Sequence, residues 1–231
     1  MDKSIYANMQ KNYYNSRVTE MHENHSVHDI NDDYWNILLK PIDDNDKILK
    51  NKFALDFGCG HGRNVRNMLK KNIFKRVDGI DISEENIKYA KENILKETGT
   101  ETFDLYSNNG IDLNPLKDDE YSFIMSTIVL QHICVYETRL NILKEFYRIM
   151  KKNGILSFQM GFGDGHPKTA NYYDNVYDAT STNSGYDVKL VNPENEIVKD
   201  LNMIGFKDIE YVIRNSHSDR HNQWIFIKCK K

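Results

Sequence analysis

The sequence predicts an α/β fold with a parallel, doubly wound sheet, and two observations carry this prediction. Apolar stretches of strand length alternate with amphipathic helical stretches from about residue 52 to residue 160, as they do in a run of βαβ units. A turn with three glycines joins the first of these strands to the first helix of the run. In a sheet of this kind ligands bind at the carboxyl ends of the strands, so the turn lies where a ligand is expected.

Composition agrees with a single domain over residues 1–231. We divide it into an N-terminal cap (1–50), a ligand-binding core (51–160), a lid or second-substrate loop (161–192), and a final helix with two late strands (193–231). The net charge of -3 gives no basic footprint for nucleic acid. We expect no membrane span and no signal peptide, and therefore a cytoplasmic protein. The three cysteines have neither disulfide nor zinc-ligand spacing.

Residues 1–50 are rich in aromatic and histidine side chains, and we predict that they form a helical cap whose rings face the second substrate. His22, His25 and His28 follow one another at three-residue spacing, which drifts around an α-helix. A zinc helix needs its histidines four residues apart and a further ligand. We therefore expect no metal site in this segment.

The first predicted strand contains Asp56 and is followed by Gly58, Gly60 and Gly62. Glycine tolerates positive φ and lets another group approach the backbone closely, so this turn suits a ligand. A dinucleotide fingerprint would have its third glycine where Arg63 stands, and no Gly-Lys-Ser/Thr sequence closes the turn as in a P-loop. A carboxylate at the strand end repels a pyrophosphate and attracts an amine. The turn therefore favours a ligand with a cationic end, an adenosine part and no phosphate.

The second predicted strand ends in Asp81, roughly 20 residues after the glycine turn, where an acid can accept hydrogen bonds from ribose hydroxyls. Asp78 is the competing acid, and we interpret it as a solvated charge. Ser83 is the predicted N-cap of the next helix, whose first turn is acidic. Further strands are predicted at 102–106, 121–127 and 155–160, with a helix over 136–151 between the last two. A helix over 194–203 precedes two late strands at 206–213 and 223–228.

In this order the segments resemble the motifs of class I S-adenosylmethionine-dependent methyltransferases of the small-molecule type. The stretch 55–62 is similar to motif I of that family, and Val-Leu-Gln-His-Ile at 129–133 is similar to a segment that lies near the transferred methyl group. The resemblance covers most of the chain beyond residue 50. It implies a mostly parallel seven-stranded sheet with helices on both faces, closed by a C-terminal antiparallel hairpin.

The resemblance also implies S-adenosylmethionine as the methyl donor, with S-adenosylhomocysteine as the product. Asp56 would lie near the methionine amino group, the glycine turn along the methionine and ribose, and Asp81 at the ribose. Asn109 and Gly110 would lie at the adenine, although an Asn-Gly pair is also a common turn. The residues expected at the cofactor are Asp56, Gly58, Cys59, Gly60, Gly62, Asp81, Ile82, Asn109, Gly110 and Ser126.

Methyl transfer is an in-line displacement that depends on alignment and, for a hydroxyl acceptor, on removal of a proton. A neutral imidazole suits that role because its unperturbed pKa lies near neutral pH. His132 is the first candidate for this base, and His166 and His25 are the second candidates. The alternative for His132 is that its ring packs against the following helix or caps it.

The polar segment 161–192 predicts a lid that carries acceptor specificity. His217 and Arg220, between the last strands, belong either to the acceptor pocket or to a solvated loop. These polar surroundings favour a small acceptor with a hydroxyl group, such as a sugar or sugar phosphate, and neither nucleic acid nor membrane as a partner. An RNA or protein methyltransferase and a catalytically silent module remain as alternatives. Whether the chain is a monomer or a homodimer stays open.

Overall fold

A computed structural model of the chain describes residues 2–18, 32–163, 169–177, 187–216 and 221–231, and residues 32–35 by their backbone alone. Nine strands lie in this part of the chain. They are β1 (Phe53–Phe57), β2 (Arg76–Asp81), β3 (Leu105–Ser107), β4 (Tyr121–Ser126), β5 (Met150–Phe162), β6 (Thr169–Asn171), β7 (Asp187–Lys189), β8 (Lys207–Asn215) and β9 (Gln223–Lys230).

The described residues also form seven α-helices. They are α1 (Lys3–Ser16), α2 (Asp32–Asp44), α3 (Asp46–Leu49), α4 (Arg63–Lys70), α5 (Glu84–Thr98), α6 (Tyr136–Ile149) and α7 (Ile197–Ile204). Ser83 caps α5 as predicted, since its hydroxyl accepts a hydrogen bond from the backbone N–H of Asn86. None of the helices in the described ranges has the length and hydrophobicity that crossing a membrane would require.

The predicted fold class is confirmed. Seven strands form one sheet in the order β3-β2-β1-β4-β5-β9-β8. The first five strands are parallel, and β9 pairs antiparallel with both β5 and β8, so that β8 and β9 form the expected hairpin. The strand order reverses its direction between β1 and β4, and this switch point opens a crevice at the carboxyl ends of the strands. Strands β6 and β7 form a separate two-stranded parallel sheet.

Alternate residues of the central strands enter two cores on opposite faces of the sheet. Leu55 of β1 and Ile124 of β4 pack in the core that contains Phe146 of α6. Their chain neighbours Ala54 and Phe123 pack in the second core, which α2, α4 and α5 cover. The strands are therefore buried on both faces, which is why they are nearly continuous apolar runs in the sequence.

Two strand boundaries differ from the sequence-based prediction. Strand β3 begins at Leu105, three residues later than predicted, and β5 begins at Met150, five residues earlier. Met150 pairs with Tyr121, the first residue of β4, so helix α6 ends before Met150. The Asn153-Gly154 pair, whose residue types are typical of a turn, lies within β5, where Asn153 has a φ of 63°. Pairing with a neighbouring strand outweighs the local turn signal of these two residues.

The interpretation of Asp78 as a solvated charge is wrong. Its side chain is fully buried and accepts hydrogen bonds from the hydroxyl of Tyr121 at 2.7 Å and from the backbone N–H of Asp104 at 2.9 Å. Arg76 forms an ion pair with the same carboxylate at 2.8 Å. Burial raises the pKa of Asp78, against the hydrogen bonds and the arginine, which lower it. Asp78 on β2 is thus bonded to Tyr121 on β4 and to Asp104 in the segment before β3.

Candidate cofactor and acceptor site

A cavity of about 280 Å³ lies at the carboxyl ends of β1, β2 and β4, at the switch point of the sheet. Its volume is close to that of the smaller ligand pockets of proteins, roughly 300 Å³. Side chains from α1, from the glycine turn and from the segments after β2, β3 and β4 surround it. The predicted site residues that line it are Gly58, Cys59, Gly60, Asp81, Ile82, Gly110 and His132.

All three glycines of the turn between β1 and α4 have positive φ, between 50° and 80°. A side chain at Gly58 would collide with Val129, and a Cβ at Gly62 would lie 2.7 Å from Ile94. These two positions therefore need glycine for packing as well as for backbone conformation. Around Gly60 no other atom lies within 4 Å of where a Cβ would be, so this glycine lies beside open space in the cavity wall.

Asp81 connects the glycine turn to the start of α5. One carboxylate oxygen accepts a hydrogen bond from the backbone N–H of Gly60 at 2.9 Å. The other accepts from the backbone N–H of Ser83 at 2.9 Å and from the side-chain amide of Asn86 at 3.2 Å. A carboxylate offers about four acceptor directions, so three donors leave capacity for a ligand hydroxyl on the cavity side. Burial raises the pKa of Asp81, while these donors lower it.

Asp56 lies behind the cavity wall. Its side chain is fully buried, and burial raises its pKa to about 7, against the hydrogen bond from Asn64, which lowers it. Asn64 lines the cavity and donates from one amide nitrogen to Asp56 at 3.3 Å and to the hydroxyl of Thr127 at 3.0 Å. Sequence reasoning missed Asn64 and Thr127, because their role follows from the meeting of α4 with the end of β4.

The loop after β3 brings Asn108 and Gly110 to the cavity, and Asn109 is not part of its lining. The side-chain oxygen Oδ1 of Asn109 accepts hydrogen bonds from the backbone N–H groups of Ile111 and Asp112, at 2.8 and 2.9 Å, so this side chain folds onto its own loop. The amide of Asn108 accepts from the N–H of Gly110 at 3.0 Å and lies 7% exposed in the cavity wall. Of the two neighbouring asparagines, Asn108 therefore lines the cavity and Asn109 does not.

Helix α1 lies along the cavity with Tyr6, Gln10 and Tyr14, all of which line it. The hydroxyl of Tyr6 accepts hydrogen bonds from Gln10 at 2.9 Å and from the backbone N–H of Cys134 at 2.8 Å. Farther along, Lys11 of α1 forms a 2.5 Å ion pair with Glu84 of α5. Helix α1 is thus attached through Tyr6 to the segment after β4 and through Lys11 to α5.

His132 ends a short 3₁₀ turn, Leu130–His132, and lines the cavity with 19% of its side chain exposed. Its Nδ1 lies 2.5 Å from Oδ1 of Asp187, the first residue of β7. Oδ2 of Asp187 accepts from Nε2 of His221 at 3.0 Å and from the amide of Gln131 at 3.1 Å. Nε2 of His132 has no hydrogen-bond partner in the described ranges. The ring is therefore bonded to a buried carboxylate, which argues against simple packing on the next helix.

Ile128 also lines the cavity and has a φ of 57°, which is strained for a β-branched residue. Its N–H donates to the side-chain oxygen of Gln159 at 2.9 Å. The side-chain nitrogen of Gln159 donates a hydrogen bond to the side-chain oxygen of Gln131 at 3.3 Å, and the side-chain nitrogen of Gln131 donates to Asp187. Strain of this kind persists only where the surroundings over-determine the backbone, and here a chain of buried amides does so.

Several predicted residues do not line the cavity. Ser126 is buried at the end of β4, and its hydroxyl has no hydrogen-bond partner in the part of the chain that the structure describes. Gly62 lies behind the turn, against α5. The structure does not describe His25, His166, His217 and Arg220, so predictions about these residues lie outside the described ranges.

The cavity suits S-adenosylmethionine on its own geometry. Asp81 presents a carboxylate with remaining acceptor capacity at the first helix turn after β2. Gly60 leaves open space in the wall, and Ile82 and Val129 each add apolar surface to the lining. Asn108 adds a side-chain amide to the lining.

Comparison with known proteins agrees with this assignment. Residues 55–158 match a family model described as a methyltransferase domain. No curated protein matches the chain. Among solved structures, a complex of DhpI with S-adenosylhomocysteine superimposes with a TM-score of 0.66 at 14% identity, over 99% of this chain and 98% of that chain.

Two further solved structures show how widely this fold is used. Phosphoethanolamine N-methyltransferase 2 of Haemonchus contortus, in complex with S-adenosyl-L-methionine, gives a TM-score of 0.63 at 17% identity, over 85% of this chain and 52% of that chain. The cyclase SpnF gives a TM-score of 0.63 at 15% identity, over 84% and 79%. Likenesses at such identities show the fold alone, and the family model adds the class of enzyme. Residues 55–158 thus form a methyltransferase domain, and neighbours solved with S-adenosylmethionine or S-adenosylhomocysteine support S-adenosylmethionine as the cofactor.

Proposed function

We propose that this methyltransferase acts on a hydroxyl oxygen of a small polar acceptor, and that His132 removes the hydroxyl proton. The observation that carries the proposal is the position of His132: its ring lines the cavity, its Nδ1 bonds to Asp187, and its Nε2 has no partner within the described residues. An imidazole held in this way by a carboxylate is the arrangement of a general base. Removal of a proton matters most for a hydroxyl acceptor, which is a weak nucleophile until it is deprotonated.

S-adenosylmethionine supplies the methyl group on a sulfonium, which is already a good leaving group. The protein then has to bind the cofactor and the acceptor, orient them and exclude water. We assign the ribose hydroxyls to Asp81 and the adenine end to Asn108 and Gly110. Asp56 would favour the methionine amino group through Asn64, which lies between that carboxylate and the cavity.

The acceptor would lie beside His132, under α1. Gln10 and Tyr14 of that helix give this part of the cavity polar groups. A sugar, a sugar phosphate or a similar metabolite fits such a lining better than a quinone or a lipid. The charge of -3 favours a small molecule over RNA, and we expect the reaction to take place in the cytoplasm.

The cofactor assignment is tested by calorimetry with S-adenosylhomocysteine on the wild type and on Asp81→Asn. Loss of a hydrogen bond to a charged group weakens binding by about 1.5–3 kcal/mol, that is by about 10- to 100-fold. Asp78→Asn is the matched control, because this acid lies on the same strand and is buried outside the cavity lining. Equal affinity of the wild type and Asp81→Asn would contradict the assignment.

The acceptor assignment is tested by release of S-adenosylhomocysteine in a panel of sugars, sugar phosphates, catechols and amines. We expect turnover with hydroxyl compounds and a loss of about 100-fold or more in kcat for His132→Ala. Turnover with amines alone would contradict O-methylation. Cofactor binding without turnover of any compound would favour the catalytically silent module, and a steep salt dependence of RNA binding would favour the RNA enzyme.

A further inference from the structure

We infer that Asp187 and His221 are positioning residues, which fix His132 in the tautomer with its proton on Nδ1 and its lone pair on Nε2 toward the cavity. The catalytic role of this tautomer rests on the proposed function. The tautomer itself is a property of the protein that is measurable without any acceptor.

One carboxylate oxygen of Asp187 faces His132, and the other faces His221 and Gln131. Oδ1 lies 2.5 Å from Nδ1 of His132, and Oδ2 receives donors from His221 at 3.0 Å and from Gln131 at 3.1 Å. A carboxylate only accepts hydrogen bonds, so the nitrogen that faces Oδ1 carries a proton. In a neutral imidazole the other nitrogen is then unprotonated, as a general base requires.

Because Asp187 is buried, its charge is costly unless hydrogen-bond donors surround it. Asp187 is 0% exposed and His221 is 1% exposed. Burial raises the pKa of the Asp187 carboxyl, but the two imidazoles outweigh burial and hold this pKa well below its usual range. Within the described residues, Tyr14 and Cys134 are two further titratable groups that interact electrostatically with Asp187. A buried carboxylate without its donors would be costly, so each of them stabilises the ion.

The chain makes room for His221 at one specific place. The ring lies against Gly161 of β5, where even a single Cβ would overlap it. Gly161 has an ordinary extended backbone, so the absence of a side chain there serves the packing of the ring rather than the backbone. His221, Asp187 and His132 come from three segments that are far apart in sequence. Such convergence on one buried carboxylate is what a positioned base needs.

The buried amides decide what an Asp187→Asn variant does. The Gln131 oxygen accepts from Gln159 at 3.3 Å, so its nitrogen faces Asp187. In the variant, the new amide nitrogen cannot face that donor and has to turn toward His132. It then donates to Nδ1, and the proton of the imidazole moves to Nε2. The substitution keeps the shape of the site and inverts the tautomer of the base.

The experiment is ¹⁵N NMR of histidine-labelled protein saturated with S-adenosylhomocysteine, at about pH 9, where a free imidazole is neutral. The His132 signals are assigned as those that are lost in His132→Ala. We expect a protonated Nδ1 and an unprotonated Nε2 in the wild type, and the reverse in Asp187→Asn. Asp200→Asn is the matched control, because this buried acid bonds to Tyr136 and Tyr172 and not to His132. It should leave the His132 signals unchanged.

A wild-type His132 with its proton on Nε2 would overturn the inference, and this result does not depend on whether Asp187→Asn folds. Unchanged His132 signals in a folded Asp187→Asn protein would overturn it as well. With an acceptor identified by the panel above, Asp187→Asn should lower kcat about 100-fold or more, with KM for the cofactor unchanged. An inverted tautomer with full activity would support the positioning array and contradict the proposed base.

Discussion

Gly161→Ala tests whether the space beside β5 exists for the buried ring of His221. The glycine has an ordinary strand conformation, so alanine meets no backbone strain. Its Cβ, however, would overlap the imidazole far inside the roughly 3.5–4.0 Å at which carbon atoms attract each other. Because the ring is 1% exposed and enclosed, it cannot move aside without leaving Asp187.

The expected change combines three effects. Overpacking of a core costs about 1–3 kcal/mol. Loss of the hydrogen bond from His221 to the Asp187 carboxylate costs about 1.5–3 kcal/mol. A glycine-to-alanine change in a compatible backbone returns about 0.4–1 kcal/mol through the unfolded state. We therefore expect the free energy of unfolding of Gly161→Ala to fall by about 2–5 kcal/mol.

The assay is urea unfolding of four proteins: the wild type, Gly161→Ala, His221→Ala and the double variant. With the ring removed, Gly161→Ala should become neutral or stabilise by up to about 1 kcal/mol, which gives a coupling energy of several kcal/mol. An equal loss from Gly161→Ala with and without His221 would refute the reasoning, because the glycine would then be needed for some other reason.

Two more predictions concern the glycine turn and the acid beneath it. Burial raises the folded-state pKa of Asp56 to about 7, against about 3.9 in the unfolded chain. Between these two pH values folding takes up a proton, so the stability of the protein falls as the pH rises through this window. Between about pH 5 and pH 8, the free energy of unfolding of Asp56→Asn should therefore fall by about 3 kcal/mol less than that of the wild type. Urea unfolding at several pH values measures this difference, and parallel pH profiles of the two proteins would contradict the prediction. Gly58→Ala should lower both Tm and affinity for S-adenosylhomocysteine, because its Cβ would collide with Val129 at a φ of 72°. Gly60→Ala meets no atom within 4 Å, so thermal unfolding should show only the backbone strain of about 1–2 kcal/mol, and equal losses at both glycines would count against the packing argument.

The residues that the sequence places at the cavity are those whose position depends on local structure. Gly58 and Gly60 lie in a turn that joins a strand directly to a helix, and Asp81 ends the next strand. Strand ends of a parallel sheet meet at one edge whatever the details of packing, so these residues come together by topology alone. His132 follows β4 and reaches the cavity for the same reason.

Where the predictions differ from the structure, a long-range contact outweighs a local signal. Asp78 is buried because Tyr121, 43 residues away, bonds to it. Met150 is extended because it pairs with β4, although its own neighbourhood has a helical pattern. Asn109 and Asn108 differ by one position in the same turn, and only the path of the backbone decides which of the two faces the cavity.

The sequence by itself determined the fold class, the glycine turn and the acid after β2, because strand and helix periodicity and glycine conformation act over a few residues. Only the tertiary structure decided the surroundings of His132. Asp187 lies 55 residues from His132 and 34 residues from His221, and the three side chains meet only in the packed tertiary structure. No local pattern encodes such a meeting, since it depends on the close packing of segments that are distant in sequence.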